Sequence, residues 1–358
     1  MKKSEMTGHE RIEALYRKEM TDRVPVVHKG YAFCAKHVGI PVASVYRDPK
    51  ASFECQKKTY ADFGFDGGPF YTFVAYGAGE FGGKIEYKKD ENSFGPEVSQ
   101  RPVPADWEEF DIESLQLPDP KTAGCVPHEM AFAKMQEAEG SEIAFICGTP
   151  FTHAANLFGV PNFLECVLID PDMAHAALRK MTDHILQVAE YFIDTFGRGR
   201  VLARAVSPTE SNALISPKIL EEFSMPYVKE LNSKVLAMGA KAVYIHMCGD
   251  HNLNLPQWAQ VPFRQEGMRG MISVGKETAL EDAAKFFPED VICGNLDPAI
   301  IMNGTAEEVY KASCEIIEKG KALLPGRFEF MAGCEVGPGS PEQNVRMMVK
   351  AVNDVGWY

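Results

Sequence analysis

The chain has 358 residues, of which 45% are hydrophobic, and this is enough for a large buried core. Its formal net charge is −13, and no block of like charge is long enough to form a charged tail. A nucleic-acid-binding surface is therefore not expected, because phosphate binding depends on clustered lysine and arginine. No apolar run approaches the roughly 18 residues of a membrane span, so membrane insertion is not expected either.

The cysteines and the N-terminal residues bear on the compartment. The nine cysteines are an odd number without regular spacing, which does not fit a disulfide framework. The N-terminal residues continue into a charged helical pattern and lack the apolar core of a signal peptide. Both observations favour free thiols in the reducing cytoplasm, which is the predicted location.

The hydrophobic pattern predicts short apolar strands that alternate with amphipathic helices. The clearest helix covers residues 172–196, and Pro217 begins another, since its missing N–H is harmless at the first helical position. Residues 77–120 are rich in glycine and proline, and we interpret them as an insertion within one domain that spans residues 1–358. The predicted strands cover residues 24–28, 70–76, 143–147, 200–206, 242–248, 270–274, 291–293 and 328–334.

This order of elements predicts the fold class. Alternating strands and helices imply an α/β protein with a parallel sheet. Eight such strands predict a (β/α)₈ TIM barrel, in which the functional residues lie at the C-terminal ends of the strands.

His246 and Cys248 lie at the end of the fifth predicted strand, directly before the turn residues Gly249 and Asp250. Side chains alternate along a strand, so His246 and Cys248 point the same way, about 7 Å apart. A neutral imidazole and a thiolate are good zinc ligands. Both residues could equally be ordinary interior residues, because buried cysteine is common.

A third donor stands at the end of the eighth predicted strand, where Gly333 precedes Cys334. The ends of strands five and eight can face each other across the mouth of a barrel. We therefore predict that His246, Cys248 and Cys334 bind one zinc ion. Three protein ligands leave one of four positions open, which is the pattern of a catalytic zinc and not of a structural one.

Two carboxylates near strand ends are further candidate catalytic residues. Glu210, in the loop after the fourth strand, could be a fourth zinc ligand or a proton donor, or a plain loop carboxylate. Asp297 follows the seventh strand and could donate or accept a hydrogen bond with a ligand, or simply cap a turn.

Several short motifs are spread along the chain, at residues 10–12, 22–25, 148–152, 215–217, 294–298, 333–335 and 341–345. Together they resemble the uroporphyrinogen decarboxylase superfamily over nearly the whole chain. Within that superfamily, His246-Met247-Cys248-Gly249 together with the later Gly333-Cys334 is similar to the branch of zinc methyltransferases that work with corrinoid proteins. The decarboxylases proper carry an arginine-rich stretch after the first strand, which binds the carboxylates of the porphyrin. Residues 28–34 contain no arginine, and this argues against decarboxylase activity.

The resemblance implies two cofactors, Zn²⁺ and a corrinoid (cobalamin) carried by a partner protein. Zinc can hold a thiol as a thiolate, or polarise the oxygen of a methyl ether. We expect transfer of a methyl group between a small methylated substrate, with a methyl ether or similar donor favoured, and the cobalt of the corrinoid protein. The alternatives are a methylcobalamin:thiol methyltransferase of the coenzyme M type, a uroporphyrinogen decarboxylase and a non-catalytic binding barrel.

Overall fold

A computed structural model of the chain describes residues 5–87 and 95–358. Within these residues, six parallel strands form one sheet in consecutive order, and two further strands pair with each other in antiparallel orientation. The strands are β1 (Lys84–Glu86), β2 (Glu97–Gln100), β3 (Ile143–Ile146), β4 (Val201–Val206), β5 (Ala242–Met247), β6 (Met271–Val274), β7 (Val291–Leu296) and β8 (Phe328–Ala332).

Helices precede the sheet and connect its strands, so that each parallel strand is followed by a crossover. They are α1 (Gly8–Tyr16), α2 (Tyr31–Val38), α3 (Ser44–Arg47), α4 (Pro49–Phe63), α5 (Val126–Ala138), α6 (Pro150–Phe158), α7 (Val160–Ile169), α8 (Pro171–Phe196), α9 (Pro217–Ile219), α10 (Met225–Met238), α11 (Leu255–Trp258), α12 (Leu280–Phe286), α13 (Pro298–Asn303), α14 (Ala306–Leu323) and α15 (Glu342–Val355). Consecutive parallel strands with helical crossovers are the arrangement of an α/β barrel.

The first predicted strand, residues 24–28, lies beside β8. Val26 and Phe330 form a parallel bridge, and Phe330 donates a backbone hydrogen bond to Pro25. This segment extends the barrel wall beyond β8 with the same strand direction.

The predicted strand at residues 70–76 is wrong, since the structure has no strand there. Side-chain amides take the place of a neighbouring strand. Gln56 donates to the carbonyl of Phe70 and accepts from its N–H, both at 3.0 Å. Asn156 donates to the carbonyls of Val74 and Tyr76. Tyr71, Phe73, Ala75 and Tyr76 are therefore buried in an irregular segment, while Val74 is 55% exposed.

Residues 77–120, which we interpreted as an insertion, carry the β1–β2 hairpin and two short 3₁₀ turns at Trp107–Glu109 and Ile112–Ser114. Residues 88–94 of this segment lie outside the described residues. The predicted helix that begins at Pro217 is interrupted by a π-helical turn, Leu220–Ser224, before α10. Pro226 explains the interruption, because proline lacks an N–H and clashes with the carbonyl four residues earlier.

The interior of the barrel is a cluster of buried side chains separate from the larger core between strands and helices. Its members on the inward faces of the strands are Leu202, Ala242, Tyr244, Met271, Val291, Cys293 and Met331. Ile12, Leu15 and Tyr16 of α1 complete the cluster. Since Tyr16 contacts Lys241 and Arg269, which directly precede β5 and β6, α1 closes the N-terminal end of the barrel.

Among the residues described, we find no helix with the length and apolar character needed to cross a membrane.

Candidate metal centre and barrel lumen

His246, Cys248 and Cys334 come together at the C-terminal end of the sheet. Their possible ligand atoms all lie within 4.8 Å of one another. The two sulfur atoms are 3.8 Å apart, and both cysteines are free thiols. Two sulfurs bound to one zinc at about 2.3 Å, with a tetrahedral angle between them, lie about 3.8 Å apart. The donor set and its spacing therefore fit a zinc ion.

The orientation of His246 leaves one ring nitrogen free for a ligand. Nδ1 lies 3.0 Å from the hydroxyl of Ser273, which is its partner in register on β6. Nε2 is buried and has no hydrogen-bond partner among the residues that the structure describes. A buried polar atom without a partner is costly, and an imidazole that ligates a metal commonly bonds its other nitrogen to a neighbouring group. Nε2 is thus the atom available to a metal.

The side chains of Trp258 and His251 fix the loop that carries Cys248. The indole N–H of Trp258 donates to Nδ1 of His251 at 3.2 Å. This leaves the proton of His251 on Nε2, which lies 3.3 Å from the carbonyl oxygen of Cys248 and donates to it. The position of Cys248 therefore depends on α11, which follows β5.

The two thiols differ in acidity. The hydrogen bond from Cys248 holds the pKa of Cys334 well below its ordinary value, and His246 and Lys29 contribute in the same direction while burial opposes them. The same bond raises the pKa of Cys248, because Cys248 is its donor. The positive charge of Lys29 lowers the pKa of both thiols. Lys29 thus favours the thiolate forms that metal binding requires.

Glu210 lies outside this group of donor atoms. Its carboxylate is fully buried and accepts hydrogen bonds from Thr152 at 2.8 Å, Thr209 at 3.2 Å and Ser224 at 3.3 Å. Burial raises its pKa, and the threonine hydroxyls act against that rise. The structure brings Glu210 into a cage of hydroxyl groups, so its role as a ligand or proton donor stays a prediction.

Asp297 has two local partners. Its Oδ1 accepts from the backbone N–H of Ala299 at the start of α13, and its Oδ2 lies 2.8 Å from Nζ of Lys276. These contacts correspond to the capping alternative. Its role as a catalytic residue also stays a prediction.

A cavity of about 150 Å³ lies in the barrel lumen. Lys29, Tyr31, Arg204, Tyr244 and Glu329 are among the residues that line it. Lys29, Arg204, Tyr244 and Glu329 had not been singled out from the sequence as site residues, and neither had Ser273. The alternation of side chains along β4 and β6 could have placed Arg204 and Ser273 on the inward face. Lys29 stands in the stretch that we inspected only for arginine.

The family of this chain follows from its similarity to known proteins. The family described as "Uroporphyrinogen decarboxylase (URO-D)" matches residues 7–355. One curated relative is the methylcobamide:CoM methyltransferase MtbA of Methanosarcina acetivorans, which is 29% identical over 223 residues. That match covers 62% of this chain and 61% of MtbA, so less than two thirds of the relative is spanned. Another is a uroporphyrinogen decarboxylase of Anaeromyxobacter dehalogenans, 23% identical over 97% of this chain and 99% of the relative.

A solved structure confirms the fold class. A methyltransferase from Methanosarcina mazei superimposes with a TM-score of 0.79 at 20% sequence identity, over 98% of this chain and 99% of that one. At this identity the likeness concerns the fold, which is the predicted α/β barrel of the uroporphyrinogen decarboxylase type. With the family match over nearly the whole chain, the conclusion is that this protein belongs to the uroporphyrinogen decarboxylase family.

Proposed function

We propose that the protein is a zinc-dependent methyltransferase that moves a methyl group between a small methylated substrate and the cobalt of a corrinoid protein. The observation that carries this proposal is the convergence of Cys248, Cys334 and the unpartnered Nε2 of His246 at the C-terminal end of the barrel. A zinc ion held by these three residues would act as a Lewis acid toward the heteroatom that gives up or accepts the methyl group. A methyl ether or similar donor is the favoured substrate.

The chain's own residues prepare the donors and leave the site accessible. Ser273 fixes the ring of His246, and Lys29 favours deprotonation of both cysteines. Val206 pairs in register with His246 and is 41% exposed at the end of β4. The barrel mouth is therefore open beside His246, where a substrate and the cobalt must meet.

The rim of the barrel supports the docking of a corrinoid protein. Leu214, Leu253 and Met302 follow β4, β5 and β7 in the chain, and their side chains are 45%, 66% and 43% exposed. We interpret these exposed apolar side chains, which follow the C-terminal ends of three strands, as part of a protein–protein contact surface. The corrinoid would be carried by this partner.

The free cysteines support a cytoplasmic location as part of the same proposal.

Transfer in the opposite sense, from methylcobalamin to a thiol, is a second candidate. It is favoured by the relative whose name is methylcobamide:CoM methyltransferase. The same three donors serve either direction, since a thiol acceptor also has to lose its proton.

The decarboxylase alternative rests on the relative from Anaeromyxobacter dehalogenans. Two observations argue against it. Residues 28–34, which follow the first strand, contain no arginine to pair with porphyrin carboxylates. The decarboxylase reading also gives no role to the cluster of His246, Cys248 and Cys334. A non-catalytic barrel leaves the buried and unpartnered Nε2 of His246 without explanation.

The test is a set of transfer assays that follow the absorbance of the cobalt. Zinc-loaded protein is mixed with cob(I)alamin and a panel of methyl ethers, methylamines and methylated thiols, and separately with methylcobalamin and thiols. We expect a change at cobalt with one donor or acceptor, and its loss in Cys248→Ser. Cys314→Ser is the matched control, because Cys314 lies in α14, away from the metal centre.

Two results would contradict the proposal. One is release of CO₂ from uroporphyrinogen by a protein that transfers no methyl group. The other is methyl transfer that Cys248→Ser leaves unchanged.

A further inference from the structure

Arg204 is a positive charge in the barrel lumen without a carboxylate partner. Its side chain lines the cavity, one layer of side chains below His246. Among the residues that the structure describes, no carboxylate oxygen lies within 4.0 Å of its guanidinium nitrogens. The guanidinium carbon lies 3.9 Å from the centroid of the Phe70 ring and 4.7 Å from that of Tyr244. The rings hold the cation in place without neutralising its charge.

The carboxylates nearby leave this charge available. Burial raises the pKa of Glu329, which also lines the cavity, to about 8 although Arg204 acts against the rise, and no oxygen of Glu329 lies within 4.0 Å of the guanidinium nitrogens. Glu142 at the far end of the cavity is paired with Lys241 at 3.0 Å. A bound anion would therefore be the counter-charge of Arg204.

The lumen also contains polar atoms that lack partners. The hydroxyl groups of Tyr16 and Tyr244 are buried, and within residues 5–87 and 95–358 they have no hydrogen-bond partner. Both tyrosines line the same cavity. Its volume of about 150 Å³ is comparable with that of a cavity that binds benzene, at about 150 Å³, so a small organic ligand can be accommodated. A ligand that presents acceptor oxygens would satisfy these hydroxyl groups together with Arg204.

The distance to the metal centre suits one molecule that reaches both places. Arg204 pairs with Tyr244, and Val206 with His246, so the two levels differ by two residues. Two residues of strand cover about 7 Å. A chain of a few atoms spans that distance between an anionic group and a heteroatom next to the metal ligands.

We propose that the lumen is a subsite for the anionic head of the small substrate, with Arg204 binding a carboxylate or sulfonate while the methyl-bearing or methyl-accepting heteroatom lies at His246, Cys248 and Cys334. Arg204 is then the residue that selects the substrate class, and neutral molecules of the same length are disfavoured. This inference rests on the proposed function and adds the charge of the substrate to it.

The test is calorimetric binding to the zinc-loaded protein at fixed ionic strength, without turnover. The sulfonate probe is 2-mercaptoethanesulfonate and the carboxylate probe is 3-mercaptopropionate, each compared with the neutral 2-mercaptoethanol. For ether substrates, methoxyacetate is compared with 2-methoxyethanol. Charge-assisted hydrogen bonds in a desolvated site predict that one of the anions binds about tenfold or more tighter than its neutral analogue.

Variants locate the effect. Arg204→Met should remove most of the preference for the anion over its neutral analogue. Arg204→Lys should restore part of this preference, because lysine keeps the charge but loses the planar fork. Arg264→Met is the control, since Arg264 pairs with Asp290 and does not line the cavity. If Arg204→Met does not fold, the same binding measurement is made with Tyr244→Phe. This variant removes only a hydroxyl group and should weaken anion binding severalfold.

The proposal is overturned if anionic and neutral probes bind the wild-type protein equally, or if the preference survives Arg204→Met. The transfer assays distinguish a failure of the anion subsite from a failure of the proposed methyltransferase function. An anion preference lost in Arg204→Met, in a protein that transfers no methyl group, supports the subsite and contradicts the methyltransferase. Methyl transfer that occurs only with neutral substrates would support the methyltransferase and contradict the anion subsite.

Discussion

Ser273 and Lys29 are two single residues that determine how the metal centre presents its donors. Ser273 holds Nδ1 of His246, so that Nε2 is the ring nitrogen left for a metal beside Cys248 and Cys334. Lys29 contributes positive charge next to Cys248 and Cys334. Neither residue is a zinc ligand in its usual charge state. Ser273 orients the ring of His246, and Lys29 favours the thiolate forms of the two cysteines.

Replacing Cys334 with alanine should remove one of the three proposed zinc ligands. We expect the zinc content of the purified variant to fall sharply, as measured by elemental analysis. The circular dichroism spectrum should not change, because a barrel of this size has a core of its own and does not depend on a metal for folding. Full zinc occupancy in this variant would show that Cys334 is not a ligand, and Cys314→Ala is the control.

Replacing Ser273 with alanine should weaken zinc binding by about 10- to 100-fold, because the residues that orient metal ligands typically have effects of that size. The measurement is a competition titration with a chelator of known affinity. Ser313→Ala removes another buried hydroxyl, one that bonds only to the carbonyl of Val309 in its own helix, and should leave zinc affinity unchanged. Equal affinities of the wild-type protein and Ser273→Ala would contradict the assigned role.

At the scale of elements, α1 closes the end of the barrel opposite the metal centre and is held there by charges. Arg11 in α1 pairs with Asp22 at 2.6 Å and with Asp66 at 2.9 Å, and Arg23 reaches the same Asp66. Arg11, Arg23 and Asp66 are buried, so these pairs connect α1 to the first segment of the barrel wall. These charges fix α1 at the end of the barrel opposite the metal centre.

This network should make stability depend on pH. Burial alone would raise the pKa of Asp22, but hydrogen bonds from Arg11 and from the backbone of Met6 outweigh it and lower the pKa to about 2. A folded-state pKa below the unfolded value of about 3.9 means that the stabilisation is complete above pH 4 and is lost between about pH 4 and 2. Urea midpoints measured over this range should fall less steeply in Asp22→Asn than in the wild-type protein. Identical slopes would contradict the assignment, and Asp172→Asn is the exposed control.

Helix α14 packs on β8 so closely that Gly320 has no room for a side chain. A Cβ at this position would overlap the ring of Phe328. Although alanine is the better helix former by roughly 1 kcal/mol, we expect Gly320→Ala to lower the free energy of unfolding by about 1–3 kcal/mol. Chemical denaturation measures the difference. A stability equal to or above that of the wild-type protein would show that the interface can adjust, while the exposed Lys319→Ala should change stability by less than about 1 kcal/mol.

The elements also show what could be predicted from the sequence. Apolar runs with a turn at each end identified the six sheet strands, and alternation put His246 and Cys248 on one face. The stretch 70–76 was misassigned because Gln56 and Asn156 supply its hydrogen bonds from distant parts of the chain. Arg204 was missed because an inward charge on a strand becomes noticeable only once the lumen is seen to lack a counter-ion.

At the scale of the whole molecule, the barrel has one closed end, a polar lumen and one open mouth with three possible zinc ligands. The apolar rim beside that mouth is where we expect the corrinoid protein to bind. The charge is unevenly distributed: the chain is acidic overall, while Lys29 and Arg204 bring positive charge to the interior. Small anions are thereby expected to be attracted to the interior more than to the outer surface.

X-ray absorption at the zinc edge is the most direct test of the central claim that this mouth holds a catalytic zinc ion. We predict two sulfur atoms at about 2.3 Å, one nitrogen at about 2.0–2.1 Å and one further light atom. Addition of the substrate and the corrinoid partner should exchange that fourth ligand and leave the two sulfurs and the nitrogen in place. A shell of four protein ligands that stays unchanged in a mixture competent for turnover would contradict the claim, because the metal would then be structural.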